Sequence, residues 1–116
     1  MDNRWKKIKE EVLGKDYDLS VVEADDALMK KLNARYRKKA KTTDVLSFPL
    51  SKTEGEIFIN LPLAKKEANE AGVEEKDYAD YLFVHSLLHL KGYVHGEKMR
   101  KEEEKLIKKF KIKVSV

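Results

Sequence analysis

No cysteine occurs in the 116 residues. That excludes a disulfide framework, a thiolate metal ligand and a cysteine nucleophile. No apolar run approaches the roughly 20 residues of a membrane span, and the opening Met-Asp-Asn-Arg-Trp-Lys-Lys has no signal-peptide core. A cytoplasmic protein with no membrane partner is therefore expected. Proline and glycine are scarce, two and five residues, and they punctuate the chain instead of forming linkers; no repeat or low-complexity tract is present. Glutamine is missing while Lys and Glu abound, a bias associated with hyperthermophile proteins that says nothing about function. Neither sign of charge dominates. The 25 basic and 21 acidic residues leave +4, too little on its own to imply a nucleic-acid partner. At this length a single domain, residues 1–116, with one modest core is expected.

Histidine is scarce too, and its placement carries information. All three histidines lie in one stretch, His85-Ser-Leu-Leu-His89-Leu-Lys-Gly92-Tyr-Val-His95. In this H-x-x-x-H-x-x-G-x-x-H spacing, His85 and His89 are one helical turn apart and leave the same face of a helix. Gly92 can take the left-handed conformation that ends a helix, so the chain doubles back and His95 returns as a third ligand. Three imidazoles with a fourth position open is the pattern of a catalytic rather than a structural zinc. The same three suit nickel or copper. A lone histidine on such a face would more simply be a core residue with a satisfied hydrogen bond. Protease helices with this spacing carry Glu directly after the first histidine as general base. Here that position is Ser86, which disfavours a peptidase. A metal that lowers the pKa of water or polarises an anionic oxygen still fits another hydrolytic substrate.

The charge, although small in sum, is concentrated. Arg35-Tyr-Arg37-Lys38-Lys39-Ala-Lys41 holds five cations with no acid before Asp44. It reads equally as a phosphate-binding track or as a solvated helix end, where cations are favoured.

Periodicity places the elements around these motifs. Asp2 to Leu13 is a short amphipathic helix with Trp5, Ile8 and Val12 inward, stopped by Gly14. Tyr17–Glu23 reads as a strand. Asp25 or Asp26 caps a helix in which Leu28, Leu32 and Tyr36 share a face. Thr42 to Pro49 is a second strand, closed by its proline, and Gly55 to Asn60 is a third whose continuous apolar run predicts burial on both faces. Asn60 with Pro62 starts a helix lined by Leu61, Ala64, Ala68 and Ala71 up to Gly72. From about Glu75 to Lys91 a helix is apolar nearly all round, which belongs in the middle of a domain. Glu97 to Phe110 follows with Met99, Leu106, Ile107 and Phe110 inward, and Ile112, Val114 and Val116 alternate like an edge strand. The expected fold is α+β: a small mixed sheet of three to four strands packed with about five helices, the central one carrying the metal site.

The histidine block and Thr43-Asp-Val-Leu-Ser-Phe-Pro49 together resemble the YbeY family of endoribonucleases, the bacterial rRNA maturation factors. The likeness continues through Leu32-Asn-Ala-Arg-Tyr-Arg37, Gly55-Glu-Ile-Phe-Ile59 and Met99 with the acids after it, covering most of residues 28–107. It implies zinc on His85, His89 and His95, with Arg37 as the functionally important arginine beside the metal. It further implies single-strand RNA cleavage in 16S rRNA 3′-end processing, ribosome assembly and ribosome quality control, with rRNA and the ribosome or its proteins as partners. Physically, a guanidinium suits a phosphodiester because it donates two parallel hydrogen bonds to phosphate oxygens. Arg35, Lys38, Lys39 and Lys41 would extend a track for the RNA backbone, and Tyr93 could stack on a base or pack the turn after Gly92. Ser47 and Ser86 could orient groups near the site or simply pack.

The chain departs from the family pattern in several places. Val94 stands where the family usually has Asp before its third histidine, which removes a carboxylate able to tune the site. Glu56 replaces the usual Asp after Gly55, with a structural role favoured over a metal-side one. Thr42 replaces a proline, and the chain is shorter than is typical. Two rival readings follow: a non-catalytic, metal-stabilised rRNA or ribosome assembly factor, and a small metallopeptidase.

Overall fold

A computed structural model describes residues 1–39 and 41–114. The order is α1 (Asn3–Leu13), β1 (Asp18–Ala24), α2 (Asp26–Arg37), β2 (Val45–Ser51), β3 (Glu54–Asn60), α3 (Leu61–Ala71), α4 (Glu75–Lys91) and α5 (Glu97–Lys109). Local chemistry sets most of these boundaries. Asp2 and Asp25 accept from the backbone N–H of Trp5 and Leu28 at 2.7 and 2.9 Å, opening α1 and α2. Asn60 does the same for α3, and Gly72 and Gly92 end α3 and α4 in the left-handed conformation.

The sheet has the order β1-β3-β2, with β3 parallel to β1 and antiparallel to β2. Among the described residues the fold is α+β with three strands and five helices. As its apolar run predicts, β3 is the middle strand: Ile57 and Ile59 join the main core, while Phe58 packs on the opposite side with Met29, Leu28 and Leu32 of α2. The main core is built around α4, which touches α1, α3, α5 and β2. Phe83, Val84 and Leu87 of that helix are fully buried. Trp5 of α1 stacks on Phe83 at 4.2 Å, and its indole N–H donates to the buried carboxylate of Asp80. Among the described residues no helix is long and apolar enough to cross a membrane.

Several expectations need correction. Pro49 does not close β2, which continues to Ser51 after a shift in register. An edge strand tolerates a residue without an N–H, and the irregularity follows directly. Tyr36 is not on the inner face of α2. It is 58% exposed, because the buried stripe runs through Met29 and Asn33 and ends a turn earlier. Ala71 is likewise exposed. The tail forms no strand over 112–114, and Val116 lies outside the described residues. Instead Lys111 takes a left-handed conformation and the Ile112 N–H donates to the Ile107 carbonyl at 2.9 Å, capping α5 and dropping Ile112 into the core. The alternation was real, but it records packing against helices rather than pairing with a sheet.

Candidate metal centre

A cleft of ≈650 Å³ opens between the end of α2, the edge strand β2 and the exposed side of α4. His85, His89 and His95 line it together with Arg37, Asp44 and Ser47. One potential ligand atom from each histidine lies within 4.8 Å of the others, and the ring centroids are 4.7–5.2 Å apart. The turn at Gly92 achieves the predicted reversal: its N–H donates to the His89 carbonyl, and that of Tyr93 to the Leu88 carbonyl, both at 3.0 Å.

Two of the rings are held from behind. His85 Nδ1 pairs with the Glu103 carboxylate of α5, and His89 Nδ1 with the Tyr93 carbonyl at 3.0 Å. Those oxygens can only accept, so each Nδ1 carries a proton and each Nε2 offers a lone pair. The two Nε2 atoms face one another at 3.2 Å. Two lone pairs at that separation are satisfied by a cation between them. Tetrahedral zinc with Zn–N near 2.05 Å would place its nitrogens about 3.3 Å apart. The residues therefore fit a divalent metal, and the carboxylate–histidine arrangement behind it is the usual support of such a ligand. Burial holds the His89 imidazole below its ordinary value of 6.5, and His85, His95 and Arg37 push the same way against the opposing Tyr93 bond. The neutral, ligating form is favoured.

The Glu103 partner was missed in the sequence, although a signal for it exists. Glu103 lies four residues after Met99 and four before Ile107, on the inner face of α5, and is 7% exposed while Glu104 beside it faces solvent. An acid on an apolar stripe needs a partner. Val94 is 78% exposed, so the carboxylate expected just before His95 is absent, but a carboxylate reaches the triad from another helix.

The remaining candidates divide by position. Arg37 is exposed at the last turn of α2 and lines both this cleft and an adjoining groove with Lys39 and Lys41. Arg35 and Lys38 are exposed nearby, the Arg35 guanidinium lying 5.4 Å over the Tyr36 ring. Asn33 organises this loop: its backbone carbonyl receives Lys39 N–H and its side chain donates to the Lys41 carbonyl at 2.8 Å. Tyr93 is half-buried against the core and contributes its carbonyl, not its ring, to the site. The Ser86 hydroxyl donates to the Leu82 carbonyl within its own helix, so it supplies no base. Glu56 is half-buried in β3, outside the cleft lining. Thr42, in place of proline, donates to Asp26, which also receives the Asn60 amide. In the adjoining groove, burial and then the facing Asp44 raise the Glu67 carboxyl from 4.5 to about 7. Burial and these two acids push the neighbouring Tyr78 phenol up to about 12.

Residues 3–111 match the family described as Endoribonuclease YbeY. The protein of that name from Nautilia profundicola is 44% identical, the alignment covering 87% of this chain and 78% of the relative. That from Campylobacter jejuni is 40% identical over 85% and 79%. The solution structure of a Thermotoga maritima protein superposes with a TM-score of 0.67 at 26% identity, covering 91% of this chain and 78% of the other. The fold, the convergent histidines and these likenesses agree, and the chain belongs to the Endoribonuclease YbeY family.

Proposed function

We propose that this protein is a zinc-dependent, single-strand-specific endoribonuclease of the cytoplasm, with residues 1–116 acting as one domain. It would mature rRNA, including the 16S 3′ end, and serve ribosome assembly and quality control. The observation that carries this reading is the meeting of three imidazoles, two of them held from behind, with Arg37 across one cleft.

His85, His89 and His95 would hold the cation. When bound, it supplies a Lewis acid for a phosphoryl oxygen and lowers the pKa of water. Glu103 and the Tyr93 carbonyl keep the Nδ1 protons in place, so the Nε2 lone pairs stay directed inward. Arg37 donates to the non-bridging oxygens and balances the charge that grows on the phosphate during cleavage. Arg35, Lys38, Lys39 and Lys41 carry the strand's backbone away from the cleft, which makes binding salt-dependent.

The test sets single-stranded RNA beside duplex RNA, a DNA of the same sequence and a peptide library. Each digest is repeated after chelation and with His89→Ala and Arg37→Ala. Cleavage of the single-stranded RNA alone is expected, lost on chelation and in His89→Ala. Arg37→Ala is expected to lower it roughly 100-fold with the ion still bound. RNA binding without cleavage by metal-loaded wild type would overturn the reading in favour of an assembly factor, and peptide cleavage in favour of a peptidase.

A further inference from the structure

Among the described residues every phenylalanine, tyrosine and tryptophan is buried or half-buried except Tyr36. Its ring stands at the mouth of the metal cleft, beside Arg37 in sequence and in the cleft wall. It leans on Phe48 of β2, centroids 5.2 Å apart, and Phe48 in turn packs edge-on against Phe58 at 5.8 Å. The ring is thus braced from the sheet yet open to solvent. The Arg35 guanidinium over it shows that its face accepts a flat group, and Arg35 makes no ion pair among the described residues.

Building on the ribonuclease reading above, we infer that Tyr36 is the base-stacking residue of this site. An unpaired nucleobase lies on its ring while the phosphate of the same strand reaches Arg37. The surroundings name the occupant. A π-face at the head of five cations, Arg35 to Lys41, suits a polyanion that carries flat rings. Duplex bases already have both faces covered, so a ring placed here takes hold only of a strand whose bases are free. Arg35 yields its place to the base and turns to a neighbouring phosphate. Tyr36 therefore contributes to strand selection, and Phe48 positions it.

The test uses the full chain loaded with zinc and a single-stranded RNA oligonucleotide carrying one 2-aminopurine, moved along the strand in successive substrates. Mixing in a stopped-flow reads fluorescence before cleavage intervenes, and steady-state kinetics follow on the same RNA. For wild type, quenching is expected at one position, and an abasic nucleotide there raises KM. In Tyr36→Ala the quench is expected to vanish and KM to rise roughly tenfold with kcat nearly retained, the size of one base–aromatic stack. The abasic substitution then adds nothing further. Tyr36→Trp and Tyr36→Phe are expected to restore both readouts, which a merely structural role would not require. A Tyr36→Ala protein that quenches and binds like wild type would overturn this inference and leave the ribonuclease reading intact. Wild type that neither binds nor cleaves RNA would overturn both.

Discussion

Glu103 offers the sharpest test of the centre, because it acts on the ion only through His85. Its carboxylate is buried, reaches the Nδ1 side of the ring and touches no other ligand in the triad. Removing such a partner costs a metal site roughly 10- to 100-fold in affinity, about 1.4–2.8 kcal/mol on the binding free energy. Two variants separate the contributions. Glu103→Gln keeps an acceptor of similar shape but loses the charge that makes the imidazole more basic, so about tenfold weaker binding is expected. Glu103→Ala removes acceptor and charge together and frees the tautomer, so the loss should approach 100-fold. The assay is competition for zinc against a chromophoric chelator at fixed pH. Thermal melts of the metal-free proteins run beside it and establish that each variant is folded at the assay temperature. Affinity in Glu103→Ala within a factor of about three of wild type would refute the reasoning, since it lies below the range for such partners.

Other expectations follow from the rest of the fold. Glu67 has a folded pKa above its unfolded one, so its contribution to stability is present below pH 4.5 and is lost as pH rises through about 7. Denaturant titrations from pH 4 to 9 should show wild type losing ground to Glu67→Gln across that window, and a constant difference would contradict the assignment. A Cβ at Gly55 would collide with the Tyr17 hydroxyl and approach Leu90 to 3.0 Å. Gly55→Ala should therefore cost about 1–3 kcal/mol in chemical denaturation, and a neutral result would mean that Tyr17 moves freely. Asp80 accepts from Trp5 at 2.6 Å and from Arg4 at 2.9 Å. Asp80→Ala should destabilise the fold by about 3 kcal/mol while the stoichiometry of bound metal in the folded protein is unchanged.

The legible parts of this fold were those specified by short-range chemistry. Caps at Asp25 and Asn60, stops at Gly14, Gly72 and Gly92, and the spacing of His85, His89 and His95 each depend on neighbours a turn or two away. The bounds of α4 follow from the same kind of signal, an apolar circumference between two such punctuation marks. What was misread depended on distant partners. Pro49 looks terminal until β2 proves to be an edge, and Ile112 and Val114 look like a strand until α5 turns them inward. Tyr36 fits the helical period of Leu28 and Leu32 but lies past the buried stripe of α2, where one side of its ring meets Phe48 and the rest meets solvent. Glu103 belongs to both classes. Its place on an apolar stripe could be read from Met99 and Ile107, whereas its partner, 18 residues back on another helix, could not.

The third imidazole and the carboxylate behind the first share a geographical fact: His95 leads directly into α5, and Glu103 rides on it. A cation gripped by the triad would therefore act as a clasp, tying the carboxy-terminal helix to the helix at the centre of the molecule through one covalent and one electrostatic strap. Loading the ion should slow amide hydrogen exchange along α5 well beyond the ligands themselves, and stripping it should loosen that helix first.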